Sequence, residues 1–322
     1  MPAHAQKSKI AVWMQLVRAP FFTASLIPVI IGAMLALNSR AEVQWPLLPI
    51  VILCAVLFHG GTNIVSEYFD FSKGVDRKDT FGSSRVLVEG LLPPRQALIA
   101  GVGLFAIGFL LGLIIVTVRG IPILILGIIG LIGGYCYTGQ PIGFKYRAAG
   151  DIGVFLLMGP LLVIASYSSL TGIYTRGVLY ASIPIGFLVT AILNANNLRD
   201  IQHDKEARVA TLENILGFKK ARFGYFFLII GAYAAVVLMI FARLLCAWSL
   251  LVFLSFPLAY KNMRLLTRSK TGQPHDFPML DLLTAKLHLA FGALFILSLG
   301  LQALIPSASL LFQGRQFFAG HN

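Results

Sequence analysis

Long apolar runs recur along the whole chain, and about 18 or more apolar residues in a row are enough to cross roughly 30 Å of hydrocarbon as a helix. The windows fall at about 21–38, 46–69, 96–118, 120–138, 150–169, 177–198, 223–243, 245–261 and 284–304. Hydrophobic residues make up 57% of the 322 and charged residues 12%, about half the charged share of an ordinary soluble chain. This excludes a disordered chain and a water-exposed domain, because a soluble core cannot hide so much apolar surface. The expected fold class is all-α: a polytopic membrane protein with nine transmembrane helices. It is read as one integral membrane domain over 1–322, with 1–20 as a cytoplasmic N-terminal segment and 305–322 as an external C-terminal tail.

The net charge of +13 invites a nucleic-acid reading, but a nucleic-acid binder gathers its basic residues on one soluble face. Here they sit in short loops between apolar windows. With the N-terminus inside, 21 of the 26 Lys and Arg residues fall on the inner side, and only Arg40, Arg119, Arg176, Arg243 and Arg315 fall outside. That asymmetry is the positive-inside pattern, so the lipid bilayer is the expected partner and nucleic acid is not. Lys7 and Lys9 precede the first window without a small-residue cleavage site at a suitable distance, so that window is read as a retained helix. Cys54, Cys136 and Cys246 lie singly in apolar segments, with no zinc or disulfide spacing. Twelve of the 13 acids also fall inside, Glu42 being the exception. Acids carry little topological weight, so their accumulation on one side calls for another cause.

Two clusters hold many of them. At the end of the second window, Asn63, Glu67 and Asp70 are spaced i, i+4, i+7; at the end of the sixth, Asn197, Asp200 and Asp204 are spaced i, i+3, i+7. Either spacing puts one amide and two carboxylates on one helix face. Acids at a membrane edge are costly unless paired or bound to a cation. Oxygen donors of this kind suit Mg²⁺, which usually keeps waters and takes substrate phosphate oxygens as well. Lys73, Arg77, Lys78 and Arg85 follow the first cluster, and Arg199, Lys205 and Arg208 lie in or after the second. Interleaved with the carboxylates, such cations can cradle a diphosphate.

The pattern resembles the UbiA-type intramembrane prenyltransferases, whose two aspartate-rich motifs end helices 2 and 6. The residues carrying the resemblance are Tyr68-Phe69-Asp70-Phe71-Ser72-Lys73-Gly74-Val75-Asp76, Asn196-Asn197-Leu198-Arg199-Asp200 with Asp204, then Thr211-Leu212 and Gly217. Weaker likeness covers Arg18-Ala19-Pro20, Tyr137-Thr138 with Pro141, Gly150-Asp151-Ile152 and Lys286-Leu287-His288-Leu289. It is greatest to the branch that prenylates 1,4-dihydroxy-2-naphthoate in menaquinone biosynthesis. Two departures stand out: Glu67 where the family usually has Asp, and Arg208-Val209 where it typically has Gly-Lys.

The resemblance implies transfer of a polyprenyl group from an allylic polyprenyl diphosphate to an aromatic acceptor. For the naphthoate branch it also implies loss of the ring carboxylate as carbon dioxide. It assigns Asn63, Glu67, Asp70, Asp200 and Asp204 to the metal–diphosphate site, with Glu67, Asp70, Asp200 and Asp204 as Mg²⁺ ligands. Asn197 and Asp76 are second choices. Lys73, Arg85, Arg199 and Asn197 are candidates for diphosphate contact; Lys205 or Arg208 could stand in for the absent motif Lys. Tyr68 and Tyr137 could face the allylic cation, although a Tyr in a membrane helix is more often packing. Asp151 is explained equally well as an N-terminal cap, and Gly127, Gly130, Gly133 and Gly134 fit close helix packing. The six histidines form no ligand set and are read as structural, with His203 inside the second motif. The loop 262–283 is expected as a partial lid.

The implied location is a bacterial inner membrane, with the site facing the cytoplasm. Other acceptors of the superfamily (4-hydroxybenzoate, homogentisate or a haem vinyl group) stay open, as do chain length and oligomeric state. A transporter is the rival from another class, but transporters tend to place their acids near the midplane on broken helices. A non-catalytic scaffold leaves the paired motifs unexplained.

Overall fold

A computed structural model describes residues 8–77, 83–269 and 274–305. Lys78, the centre of the 262–283 loop and most of the expected external tail lie outside the described residues. Among those described, the chain is all-helical and forms no strand, only an isolated bridge between Arg147 and Ala210.

The helices are α1 (Lys9–Leu16), α2 (Thr23–Leu37), α3 (Leu48–Ser72), α4 (Pro94–Arg119), α5 (Ile121–Cys136), α6 (Gly150–Leu156), α7 (Leu162–Thr171), α8 (Arg176–Glu206), α9 (Leu212–Phe241), α10 (Phe256–Arg268) and α11 (Leu280–Leu304). Among the described residues, seven helical stretches are long and apolar enough to cross a membrane: Ala19–Leu37, Trp45–Ser72, Pro94–Arg119, Gly150–Thr171, Arg176–Glu206, Leu212–Phe241 and Leu280–Leu304. The other two of the nine expected windows differ. The fourth is the 16-residue α5. The eighth begins as a nine-residue 3₁₀ stretch, Ala247–Ser255, and continues as α10, which buries Ala259, Asn262 and Leu266. Lys261, Arg264 and Arg268 on α10 give it an amphipathic pattern, so its apolar window ends before the helix does.

The core runs through α2, α7, α8, α9 and α11, with Tyr167, Tyr225, Phe291 and Phe295 fully buried. α3 packs along α4 and α8 along α9. Close approach is made by small residues: a Cβ on Gly61 would lie 3.0 Å from the Gly101 carbonyl oxygen across the α3–α4 contact. Gly133 and Gly134 face Leu157 and Thr62 at similarly short range, as expected of packing glycines, whereas Gly127 has open space around its Cα.

Two irregularities shape the interior. Between α6 and α7, residues Leu157–Leu161 form a π-helical turn containing Pro160, a feature that re-aims side chains and often sits at functional sites. Within α9, Gly217 adopts φ 74° and ψ 161°, a region open essentially only to glycine and costing other residues about 1–3 kcal/mol. The kink leaves Leu212–Leu216 as a short leg turned against the end of α8.

The π turn is locked to α8 by backbone contact. A Cβ on Gly159 would sit 2.6 Å from the Gly186 Cα, and neither atom can swing away. Gly159→Ala should therefore cost about 1–3 kcal/mol and lower the melting temperature of the detergent-solubilised protein by several degrees. Gly103→Ala, on α4 with nothing within 4 Å, should leave it unchanged or slightly raised.

Candidate functional site

The ends of α3 and α8 line one polar space, and the 137–149 segment between α5 and α6 reaches the same place. Asp70, near the end of α3, is buried; its Oδ2 accepts from Lys145 Nζ at 2.7 Å and its Oδ1 from the Tyr146 hydroxyl at 2.8 Å. Burial alone would lower the Lys145 ammonium, but the Asp70 carboxylate outweighs it and holds the group charged well above its ordinary range. Burial and the neighbouring carboxylate push the Tyr146 phenol upward, so it stays a neutral donor. The 137–149 segment is fixed to the α8–α9 connection by the Ala148 N–H, which donates to the Ala210 carbonyl at 2.5 Å.

Around this point lies a small polar chamber of about 40 Å³, lined by Arg18, Asp70, Asp76, Lys145, Asn196, Asn197, Asp200, His203 and Asp204. It adjoins a larger cavity of about 230 Å³ that shares Arg18, Asp70, Lys145 and Asn196. That cavity runs past Ser66, Asn63, Tyr137 and His59 to an apolar wall of Ala55, Phe58, Leu157 and Leu161. A third space, of about 110 Å³, continues from Phe58 and Leu161 between α3, α4, α5 and α7 and is almost wholly apolar. Charge is confined to one end of a long apolar interior.

The expected site residues divide into two groups. Asp70, Asp76, Asn197, Asp200 and Asp204 line the polar chamber, and Asn63 and Tyr137 line the cavity below it. The others are engaged elsewhere. Glu67 Oε2 accepts from the Ser84 N–H at 2.9 Å and its Oε1 from the Ser84 hydroxyl at 2.6 Å, with Arg18 3.5 Å away. Its carboxylate pins the segment after α3 and lines neither space; the extra methylene relative to Asp carries it there. Arg85 pairs with Glu89 at 2.8 Å on the exposed surface. Lys73 sits 3.7 Å over the Tyr146 ring, and Tyr68 packs edge-to-face on Phe69 and against the Leu16 cluster. Lys205 and Arg208 are exposed and line neither space.

Arg199 is buried and holds carboxylates together. Its Nε and Nη2 bind both oxygens of Asp200 at 2.9 and 2.8 Å, and its Nη1 reaches Asp281 at 2.9 Å. Asn197 Nδ2 donates to Glu213 Oε2 at 2.9 Å, while Asn194 Nδ2 donates to Glu213 Oε1 at 2.5 Å. Glu213 stands on the short leg before Gly217, so the kink delivers the carboxylate that orients both amides.

Lys145, Tyr146, Arg18, Glu213 and His59 were not singled out from the sequence. Lys145 is the lysine that lines the chamber. Its signal was a lone Lys-Tyr pair in a short inner loop, opposite the two acidic helix ends.

The donor set suits a hard divalent cation. Among the described residues no three His, Cys, Asp or Glu side chains gather as a metal cage. Magnesium asks for less, taking one or two carboxylates and completing its shell with water and phosphate oxygens. Asp70, Asp200 and Asp204 offer oxygen ligands, and the buried Asp76 Oδ2 has no hydrogen-bond partner.

Burial, and next the Asp70 charge, push the Asp76 carboxyl up to about 7. The folded state keeps this proton to about pH 7, whereas the unfolded chain releases it near 3.8. Folding therefore binds the extra proton between those values, and stability falls as pH rises through that window. The metal-free protein should melt lower at pH 8 than at pH 6, and Asp76→Asn should flatten the dependence. Separately, Lys145→Met should cost about 3 kcal/mol or more by stranding the buried Asp70 charge, with Asp70→Asn in the same chain recovering much of the loss in thermal melts.

A family model described as the UbiA prenyltransferase family matches residues 25–289. The chain is 33% identical to mouse UbiA prenyltransferase domain-containing protein 1, covering 96% of this chain and 89% of the relative. It is 30% identical to 1,4-dihydroxy-2-naphthoate octaprenyltransferase of Bacillus subtilis (strain 168), covering 89% of this chain and 91% of the relative. A UbiA homologue from Archaeoglobus fulgidus solved with GPP and Mg²⁺ has the same fold, with a TM-score of 0.63 at 17% identity, covering 88% of this chain and 99% of that one. The apo UbiA homologue from Aeropyrum pernix K1 gives a TM-score of 0.64 at 15% identity, covering 87% and 98%. A family match over most of the chain and relatives aligned nearly end to end make this protein a member of the UbiA prenyltransferase family.

Proposed function

We propose that the protein transfers a polyprenyl group from an allylic polyprenyl diphosphate to 1,4-dihydroxy-2-naphthoate with loss of carbon dioxide, as a step of menaquinone biosynthesis. The observation that carries this reading is the single charged end on a long apolar interior. A diphosphate fits the chamber of Asp70, Asp200, Asp204 and Lys145, and an apolar chain fits the cavities below. The naphthoate enzyme among the relatives supports the choice of acceptor.

Asp70, Asp200 and Asp204, with Asp76, are the residues that would hold Mg²⁺, and Asn197 and Asn63 lie within the same site. When bound, the cation neutralises charge on the diphosphate and so helps the leaving group depart. Lys145 and Arg18 line both the chamber and the cavity and face the same charge as the C1–O bond breaks. The allylic carbon left behind carries positive charge and lies in a site sunk in the membrane, away from water. Tyr137 lines that cavity and offers a ring face to it. The acceptor ring carbon then attacks C1, and the carboxylate on that carbon leaves as carbon dioxide. Glu67 and Arg199 act one step back: Glu67 holds the Ser84 segment and Arg18, and Arg199 fixes Asp200. The chamber faces the cytoplasm of a bacterial inner membrane in this reading, which the charge asymmetry of the loops supports.

Purified protein with Mg²⁺, a polyprenyl diphosphate and 1,4-dihydroxy-2-naphthoate should give a prenylated, decarboxylated product by mass spectrometry. Asp70→Ala and Asp200→Ala should each lower kcat/KM by about 100-fold or more. Prenylation of 4-hydroxybenzoate or homogentisate, with the naphthoate untouched, would refute the acceptor. Full activity in either variant would refute the site.

A further inference from the structure

The cavity wall below the charged end carries one polar device that the mechanism above does not use. His59 on α3 lines the cavity, and its Nδ1 lies 2.7 Å from the hydroxyl of Ser25 on α2, which lines the same wall. Phe22 meets the ring edge-on at 5.3 Å and holds it from the side. His59 precedes Asp70 by eleven residues, so it stands about 16 Å farther into the membrane at 1.5 Å per residue.

Three polar neighbours on the wall have partners of their own. Thr62 Oγ1 donates to the Phe58 carbonyl, Asn63 Nδ2 to the Val17 carbonyl, and Thr138 Oγ1 to Ser66 Oγ. His59 Nε2 makes no hydrogen bond to any described residue, and the side chain is half-buried on the cavity wall. His288 is the contrasting case: it is fully buried, both its ring nitrogens are unpartnered, and it lines none of the three spaces. A polar side chain at this depth is expensive and is expected to serve a ligand.

We propose that His59, oriented by Ser25, is the hydrogen-bond partner of a ring hydroxyl on the aromatic acceptor and selects for acceptors that carry one. The tautomer supports a hydroxyl over other groups. If Ser25 donates to Nδ1, then Nε2 bears the proton and donates; if Nδ1 donates to Ser25, then Nε2 accepts. A hydroxyl both donates and accepts, so it satisfies His59 in either state, whereas a carboxylate satisfies only one. No bond is made or broken by the ring; its work is recognition and placement of the acceptor carbon toward the diphosphate end.

This role rests on the prenyl-transfer reading but not on which phenol is the acceptor. The full-length protein is assayed with Mg²⁺ and a polyprenyl diphosphate while naphthoates with and without ring hydroxyls compete as inhibitors. Wild type should bind the hydroxylated member about 10- to 100-fold more tightly. His59→Leu should abolish that preference, leave the donor KM within about twofold and lower turnover of whichever phenol is the substrate. His59→Gln should restore part of the preference, and Ser25→Ala should give an intermediate value. If His59→Leu does not fold, His59→Gln and Ser25→Ala decide by the same ratio. An unchanged hydroxyl preference in the variants, or a donor KM that rises with the acceptor Ki, overturns the role. Wild-type turnover of the naphthoate against 4-hydroxybenzoate separately tests the acceptor, so the two failures are told apart. A wild type that prenylates no phenol overturns both.

Discussion

Buried carboxylates at the ends of two membrane helices must each be matched by a cation or keep a proton, and that balance organises this protein. Asp70 is held by Lys145 at 2.7 Å and Asp200 by Arg199 at 2.8 Å, all four side chains being largely withdrawn from solvent. Removing one partner of such a pair leaves an uncompensated buried charge. The Asp70–Lys145 pair ties α3 to the segment between α5 and α6, and Arg199, which also binds Asp281, ties the end of α8 to α11. The same concentration of negative charge disposes the chamber toward a divalent cation and a diphosphate.

The rest of the fold serves that end of the bundle. Gly217 breaks α9 so that Glu213 turns back to the amides of Asn194 and Asn197. The π turn at Leu157–Leu161, locked by Gly159 against Gly186, places Leu157 and Leu161 on the cavity wall. Ser84 folds back onto Glu67 and brings Arg18 alongside. These irregularities surround the charged chamber and the cavity beneath it, while apolar residues such as Ile99 and Leu110 on α4 and Phe227 and Leu238 on α9 are exposed on the outer surface.

Much of this was legible in the sequence where the signal was local. Helical spacing alone put Asp70, and Asp200 with Asp204, on shared faces, and the apolar windows located seven long helices. The eighth window reads as one apolar helix although a 3₁₀ stretch and an amphipathic helix share it, because hydropathy averages over both. Lys145, Tyr146 and Arg18 could not be read in the same way, since the first two come from the segment between α5 and α6 and Arg18 from the segment before α2, away from both acidic motifs. Glu67 shows the limit of spacing arguments: it shares a helix face with Asp70, yet its longer arm finds Ser84 first. Arg199 was legible as a cation within the second motif, but only the fold shows that it is committed to Asp200 and Asp281.

The central claim is that both helix-end clusters form one Mg²⁺–diphosphate site. Calorimetric titration of the purified protein with a non-reactive prenyl thiodiphosphate tests it most directly. One equivalent should bind only when Mg²⁺ is present, and Asp70→Asn on α3 or Asp204→Asn on α8 should each abolish binding alone. Binding that survives the loss of either carboxylate, or that is indifferent to the metal, would show that the two helix ends do not act as one site.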